Sequence, residues 1–98
     1  MRRYSKNHPH ADWHNDQEHF VYRCFDGDGV LLYIGFTWDL RTRLAAHKAP
    51  GALLGQLMKS VTTQSFPTRS AARDAERLAI QAERPVLNVQ HNRAGCVA

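Results

Sequence analysis

The sequence has few cysteines and no long apolar run, and both absences narrow the classes of protein it can encode. Only two cysteines occur among its 98 residues. They form no C-x-x-C pair, so neither a disulfide framework nor a zinc site is expected. No stretch approaches the roughly 18 to 20 apolar residues of a membrane span, and the opening residues lack the apolar region of a secretory signal. We therefore expect a cytoplasmic protein with no membrane partner, in which Cys24 is a small buried side chain.

The composition supports one domain with a basic surface. Hydrophobic residues make up 43% of the chain and the net charge is +4. From residue 39 onward there are nine Lys or Arg against four Asp or Glu, whereas the first 38 residues carry four against five. A basic C-terminal part suits a polyanionic partner such as nucleic acid, because each phosphate contact releases counterions. Charge alone does not identify such a partner, since many basic proteins bind none.

The chain divides into a polar arm, a domain and a tail. Residues 1–19 contain four histidines but match no metal-ligand spacing, so they predict an exposed, partly disordered arm. The predicted domain begins at Phe20 and ends near residue 90. Residues 91–98 form a short tail without a clear signal, and the sequence has no internal repeat or low-complexity tract.

The domain opens with a predicted β-hairpin. Phe20–Phe25 and Val30–Ile34 are rich in aromatic and β-branched residues, and the Asp-Gly-Asp-Gly between them is a strong turn signal. A loop of two or four residues would pair residues whose numbers sum to 55, which places Tyr22 directly opposite Tyr33. Such a pair either only packs or forms part of a functional site.

Two helices are predicted after the hairpin. Gly35 is expected to end the second strand and Thr37 to cap a helix that runs to His47, with Asp39 in its first turn. In that helix Leu40 and Leu44 face the core, and a neighbouring stripe carries Arg43 and His47 four residues apart. This stripe is either a solvated edge or a site. A second short helix over residues 52–59 offers four apolar side chains to the core: Leu53, Leu54, Leu57 and Met58.

A third strand and a longer helix complete the predicted domain. Ser60–Phe66 reads as a strand, and Thr68 or Ser70 caps a helix that runs to about Ala82. Its predicted apolar face consists of Ala71, Ala72, Ala75, Leu78, Ala79 and Ala82. Glu76 and Glu83 both fall at the boundary of that face, so helical geometry does not choose between them. Residues 86–89 are predicted to form a short extended piece that returns to the sheet.

These elements resemble the GIY-YIG nuclease family over about residues 20–88. The motifs that carry the resemblance are Phe20-Val21-Tyr22, Tyr33-Ile34-Gly35, Arg43-x-x-x-His47, Phe66-Pro67-Thr68-Arg69-Ser70-Ala71-Ala72, Ala75-Glu76 and Pro85-Val86-Leu87-Asn88. Phe20 and Val21 stand where the name motif has Gly and Ile. The resemblance implies an α+β fold in which helices flank a three-stranded antiparallel sheet. It selects Glu76 over Glu83 by its offset to the Pro and Asn that follow.

The resemblance also implies a function, a metal-dependent endonuclease that hydrolyses DNA with one Mg²⁺ or Mn²⁺. Glu76 would hold the metal, Arg43 would clamp the phosphate and Asn88 would brace the site. Tyr22 would position or deprotonate the attacking water beside Tyr33. A free Tyr is a poor base at neutral pH, so the base is either Tyr22 or His47. The residues expected to bind substrate are Arg23, Gly35, Arg41, Lys48 and Arg69.

Two other interpretations stay open at this point. A chain with this fold and basic surface could be a catalytically silent nucleic-acid-binding module or a partner-dependent subunit. A structural subunit whose motifs are accidental is the third interpretation, and it would bind no nucleic acid even at low salt. RNA is not excluded as the substrate, and a protein partner could supply specificity.

Overall fold

The structure is a computed structural model that describes residues 17–88. It contains one antiparallel sheet in the order β2-β1-β3. The strands are β1 (His19–Phe25), β2 (Leu31–Thr37) and β3 (Ser60–Phe66). The helices are α1 (Leu40–His47), α2 (Leu53–Leu57) and α3 (Arg69–Glu83), followed by the 3-10 helix Val86–Asn88. The predicted fold class is confirmed, and β3 has the predicted bounds.

The predictions for the N-terminal arm and the tail fall largely outside the described residues, which begin at residue 17 and end at residue 88. His19 is the exception. It lies in β1 with only 2% of its surface exposed, and its Nδ1 lies 2.8 Å from the carbonyl oxygen of Gln17. Its assignment to an exposed arm was therefore wrong. Among the described residues, no helix is long and apolar enough to cross a membrane.

The register of the hairpin differs from the predicted one. Tyr22 pairs with Gly35, and Tyr33 pairs with Cys24, so the predicted Tyr22–Tyr33 pair is wrong. The reason is the turn, in which the Asp26 carboxylate accepts from the N–H groups of Asp28 and Val30 and holds a five-residue loop. The register also shifts beside Cys24. A slip of two residues keeps side chains on their face, so Tyr22 and Tyr33 remain on the same face.

The second strand continues beyond its predicted end. Gly35 lies inside β2, which runs on to Thr37, where Thr37 still pairs with Phe20. The prediction that Thr37 is the N-cap was wrong, because α1 begins only at Leu40 and the Thr37 hydroxyl accepts from the N–H of Asp39. Asp39 is the N-cap, and its carboxylate accepts from both the backbone N–H and the hydroxyl of Thr42.

The sheet carries a different core on each face. On the face called here the α3 face, Val21 and Ile34 pack against residues of α3, namely Ala72, Ala79 and Ile80. On the opposite face, called the α1 face, Tyr22, Cys24 and Leu32 pack against Leu54 of α2. Leu40 and Leu44 of α1 cover this second cluster as predicted. Cys24 is fully buried, which confirms its expected role as a core side chain.

In two helices the buried residues differ from those that the apolar pattern of the sequence predicts. In α2 only Leu54 is buried, whereas Leu53 and Leu57 are 54% and 41% exposed, because a five-residue helix presents little more than one turn to the sheet. In α3 the predicted core residues Leu78 and Ala82 are exposed, and Ile80 is buried. The face that packs is thus turned toward Ile80 and includes half-buried Glu76.

The ends of α3 give one confirmation and one correction. Thr68 is the N-cap and accepts from the backbone N–H of Ala71 at 3.1 Å, which settles the choice between Thr68 and Ser70. The segment after buried Pro85 is a 3-10 helix and not the extended piece predicted, since Asn88 N–H closes a tight turn on the Pro85 carbonyl.

Candidate active site

Three aromatic rings meet on the α1 face. The Tyr22 and Tyr33 ring centroids are 6.1 Å apart, the Tyr22 and His47 centroids 5.8 Å, and the Tyr33 and His47 centroids 5.1 Å. The two tyrosines come from neighbouring strands, and His47 comes from the last turn of α1. The sheet and α1 thus bring together the three proton-carrying side chains that the sequence singled out.

A hydrogen bond joins the Tyr22 hydroxyl to His47, with 2.8 Å between Oη and Nε2. Burial raises the pKa of Tyr22 well above its usual value, and the nearby Tyr33 raises it further, so the phenol keeps its proton at neutral pH. Burial, and then the charge of Arg43, lower the pKa of His47. The imidazole is therefore neutral at neutral pH. In the tautomer that carries its proton on Nδ1, the Tyr22 hydroxyl donates and His47 Nε2 accepts; in the other tautomer Nε2–H donates to the hydroxyl oxygen.

Glycine is required at position 35 by the Tyr22 ring. A Cβ atom added to Gly35 would lie 2.5 Å from the Tyr22 hydroxyl oxygen and 2.6 Å from its Cζ. Such distances are far inside van der Waals contact, so a larger residue would push the phenol away from His47. Gly35 thus contributes to the site by leaving room for Tyr22.

A second glycine fixes the position of His47. A Cβ atom at Gly55 would collide with the carbonyl oxygen of His47 and lie 2.7 Å from Cα of Lys48. The backbones of α2 and the end of α1 can approach this closely only because position 55 has no side chain. No motif in the sequence singles out Gly55, because its contact joins two helices whose packing does not follow from the sequence.

Arg43 and Glu76 supply the charges around the tyrosines. The guanidinium of Arg43 opposes the rise in the Tyr22 pKa, through its charge and a side-chain hydrogen bond. Glu76 is half-buried on α3, and its charge adds to burial in raising the pKa of Tyr33. Because β2 is an edge strand and α3 packs against it, a carboxylate from α3 can act on a tyrosine of β2.

The rival carboxylate, Glu83, is engaged elsewhere. Its two oxygens accept from Nε and Nη2 of Arg23 at 3.0 and 2.7 Å, and this bidentate pair lowers the pKa of Glu83. A carboxylate held by a guanidinium on both oxygens is a poor metal ligand. The contact therefore argues against Glu83 as a metal ligand, where helical geometry made no choice.

Asn88 is bound to the backbone of the strand that carries Tyr33. Its Oδ1 accepts from the Ile34 N–H at 2.8 Å and its Nδ2 donates to the Ile34 carbonyl at 3.2 Å. An edge strand leaves such groups without a strand partner, and unpaired backbone groups are costly when buried. Asn88 satisfies both and is itself 3% exposed, so it holds the Tyr33-Ile34-Gly35 segment in place.

The donor set fits only a metal ion that keeps most of its water. Within residues 17–88, no three His, Cys, Asp or Glu side chains cluster so as to hold a metal ion. A zinc-type site, which needs three or four protein ligands, is thereby disfavoured for this part of the chain. Mg²⁺ is held by one or two carboxylates with several waters, and the single carboxylate of Glu76 fits that requirement.

The residues expected to bind substrate are not all near the three rings. Arg41 and Lys48 are exposed on α1 and at its end. Arg69 lies with its guanidinium carbon 5.6 Å from the centre of the Phe36 ring. Arg23 lies away from the site, in its pair with Glu83, and this position argues for a structural role. Binding of substrate by Arg41, Lys48 and Arg69 stays a prediction.

A pocket lies beside Arg43 that the sequence did not predict. Its volume is about 210 Å³, and its lining residues are His19, Phe36, Thr37, Trp38, Arg43 and Arg69. Trp38 is 49% exposed. An exposed Trp directly after a strand was the one signal in the sequence that could have drawn attention to this surface.

Comparison with known proteins identifies the class and then the family. The structure is similar to two crystal structures of the GIY-YIG N-terminal endonuclease domain of UvrC from Thermotoga maritima. Each of them is a point mutant bound to its catalytic divalent cation. Each comparison gives a TM-score of 0.60 and 23% sequence identity, and it covers 76% of this chain and 84% of the UvrC chain. This likeness shows the fold. The family model of the GIY-YIG catalytic domain matches residues 18–91, so the chain belongs to that family. No curated protein sequence matches it.

Proposed function

We propose that this chain is a metal-dependent endonuclease that hydrolyses DNA phosphodiester bonds with a single divalent cation. The observation that carries the proposal is the hydrogen bond between the Tyr22 hydroxyl and His47 Nε2, beside Tyr33 and Arg43. Membership of the GIY-YIG family and the divalent cation of the two UvrC domains support it.

Hydrolysis of a phosphodiester requires removal of a proton from water and stabilisation of negative charge on the phosphate oxygens. Arg43 is suited to the second task, because its planar guanidinium matches the geometry of a phosphate. It lies on the exposed side of α1, within interaction distance of Tyr22. A phosphate held by Arg43 would therefore lie beside the buried hydroxyl.

The proton path runs from water through Tyr22 to His47. Tyr22 holds its own proton too tightly to act as a base by itself. In the tautomer of His47 with its proton on Nδ1, the Tyr22 hydroxyl donates to Nε2, so it can accept the proton of water as it passes its own to Nε2. In this scheme Tyr22 touches the water and His47 is the final acceptor, which combines the two alternatives that the sequence left open.

Glu76 would hold the cation, which when bound withdraws electron density from the phosphate and stabilises the charge that develops in the transition state. Mg²⁺ and Mn²⁺ both suit a carboxylate and water ligand set. Tyr33, on the neighbouring strand β2, would help to orient the groups beside Tyr22. Asn88 braces that strand through Ile34.

DNA is the proposed polymer because the chain is basic and the UvrC domain that shares its fold is an endonuclease domain. RNA and a protein partner that supplies specificity are further possibilities within this proposal. A location in the cytoplasm stays a prediction.

The test is incubation of the purified protein with supercoiled plasmid and Mg²⁺, Mn²⁺ or EDTA. We expect nicking that requires the cation, with 5′-phosphate and 3′-hydroxyl ends. Glu76→Ala should abolish cutting, with at least about a 100-fold loss of rate, and should leave DNA binding nearly unchanged. The matched control is Asp74→Ala, which removes an exposed carboxylate two residues earlier on the same helix.

Three results would contradict the proposal. Ends that carry 3′-phosphate would rule out the hydrolysis described. Equal loss of cutting and binding in Glu76→Ala would assign that residue a structural role. Binding that weakens with salt, with no cutting under any condition, would favour the silent nucleic-acid-binding module.

A further inference from the structure

The pocket beside Arg43 is lined by aromatic and basic side chains and has a volume that can hold one flat ring. At about 210 Å³ it is smaller than the roughly 300 to 1,000 Å³ of pockets that take drug-sized ligands. Aromatic side chains contribute to its lining, since Phe36 is half-buried and Trp38 is half-exposed. Aromatic faces of this kind are the usual platform for an unstacked nucleobase.

Two arginines make the same pocket attractive to a nucleotide. Arg69 lies over the Phe36 ring at 5.6 Å, which gives its guanidinium a defined place from which to reach a phosphate or stack on a base. The carboxylates nearest in sequence are engaged elsewhere. Asp39 accepts from Thr42, and Glu18 accepts from the hydroxyl of Ser65.

Arg43 belongs both to this pocket and to the surroundings of Tyr22. A nucleotide in the pocket would therefore be adjacent to a phosphate held at the tyrosines. In duplex DNA a base must first leave its stack and lose its pairing, whereas a base that is already unpaired avoids this cost. The geometry thus favours DNA in which the nucleotide beside the cut is unpaired.

We propose that this pocket binds an unpaired nucleobase through Trp38, and that the substrate is DNA with a single-stranded segment at the cutting position, such as a flap or a gap. The part of this proposal that concerns cutting rests on the proposed function. The binding of an unpaired base in the pocket does not depend on it and is tested separately.

The test measures binding in a Glu76→Gln background, in which the DNA stays intact. Fluorescence anisotropy compares a full duplex with a flap DNA of equal nucleotide number at one salt concentration. We expect Trp38→Ala to weaken flap binding about tenfold, because stacking of one base contributes about 1 to 3 kcal/mol, and to change duplex binding less than about twofold. Trp38→Phe should restore most of the affinity. Leu78→Ala, which truncates a side chain 67% exposed on α3, is the control.

A second readout places 2-aminopurine at the unpaired position next to the junction. Stacking on Trp38 should quench its emission on binding, and Trp38→Ala should remove that quenching. Equal weakening of flap and duplex binding, or quenching that does not depend on Trp38, would overturn the pocket while leaving metal-dependent cutting intact. Conversely, Trp38-dependent binding without any cutting of plasmid or flap by the wild-type protein would support the pocket and contradict the nuclease.

Discussion

The two faces of the sheet are built from different kinds of side chain. On the α3 face, Val21 and Ile34 pack against Ala72 and Ile80 in an apolar cluster, and the polar pair Arg23–Glu83 lies partly exposed. On the α1 face the fully buried Tyr22 carries a hydroxyl into the interior and binds His47 with it. The first face supplies packing, and the second combines packing with polar groups.

This difference means that one face of the sheet mainly stabilises the fold, whereas the other also carries the candidate site. A buried hydroxyl costs free energy unless it is hydrogen-bonded, and the hydrogen bond to His47 offsets that cost for Tyr22. The polar groups there, with shifted pKa values, are typical of a catalytic site. Glu76 links the two faces, since it is carried by α3 yet acts on Tyr33.

The largest effect is expected from Tyr22→Phe, which removes one oxygen from the α1 face. The proton path would be broken, so the cutting rate should fall by about 10² to 10⁴-fold. The free energy of unfolding should change by no more than about 1 kcal/mol, because a lost hydrogen bond is offset by easier burial. Plasmid cutting and urea unfolding of the same preparation measure both. A variant that is several kcal/mol less stable would mean that Tyr22 is mainly structural.

Ile80→Ala should have the opposite profile on the α3 face. Ile80 is 7% exposed, and truncation of a buried Ile typically costs about 2 to 5 kcal/mol. Cutting by the folded fraction should be unchanged, when it is measured at a temperature where the variant is folded. Ile80→Val, at about 1 kcal/mol, provides a milder second variant. Loss of activity in folded Ile80→Val would show that the faces are not separable.

The smallest effect is expected from Arg23→Ala. The ion pair with Glu83 is partly solvated, with side chains 24% and 37% exposed, and such pairs contribute at most about 1 kcal/mol. We expect DNA affinity and its salt dependence to stay the same. A several-fold weaker affinity with a smaller salt slope would instead show that Arg23 contacts a phosphate.

Local patterns predicted the elements of the fold well. The predicted strand over Ser60–Phe66 was confirmed, and of the two predicted caps, Thr68 and Ser70, Thr68 is the one observed. The register of the hairpin was wrong, because the side chain of Asp26 sets the loop length through its hydrogen bonds. The apolar face of α3 was misplaced because composition does not reveal which part of a helix the sheet covers.

For the candidate site, the sequence indicated the residues but not their contacts. The four-residue spacing of Arg43 and His47 correctly placed both beside the same group, which is Tyr22. Gly55 and Trp38 were missed, because each matters through a neighbour that only tertiary packing brings near. The choice of Glu76 over Glu83 came from the family resemblance, and the structure adds a physical reason in the Arg23 pair.

The most direct test of the proton path from Tyr22 to His47 is the pH dependence of the cutting rate at saturating Mg²⁺. The groups facing His47 are Tyr22 and Tyr33 from the sheet and Arg43 from its own helix. Burial and Arg43 lower the pKa of His47 below its usual 6.5, and a protonated imidazole cannot accept. The rate should therefore fall as the pH drops through a midpoint below 6.5, and the slow residual rate of His47→Gln should lack that midpoint. A midpoint above 6.5, or the same midpoint in His47→Gln, would contradict the account.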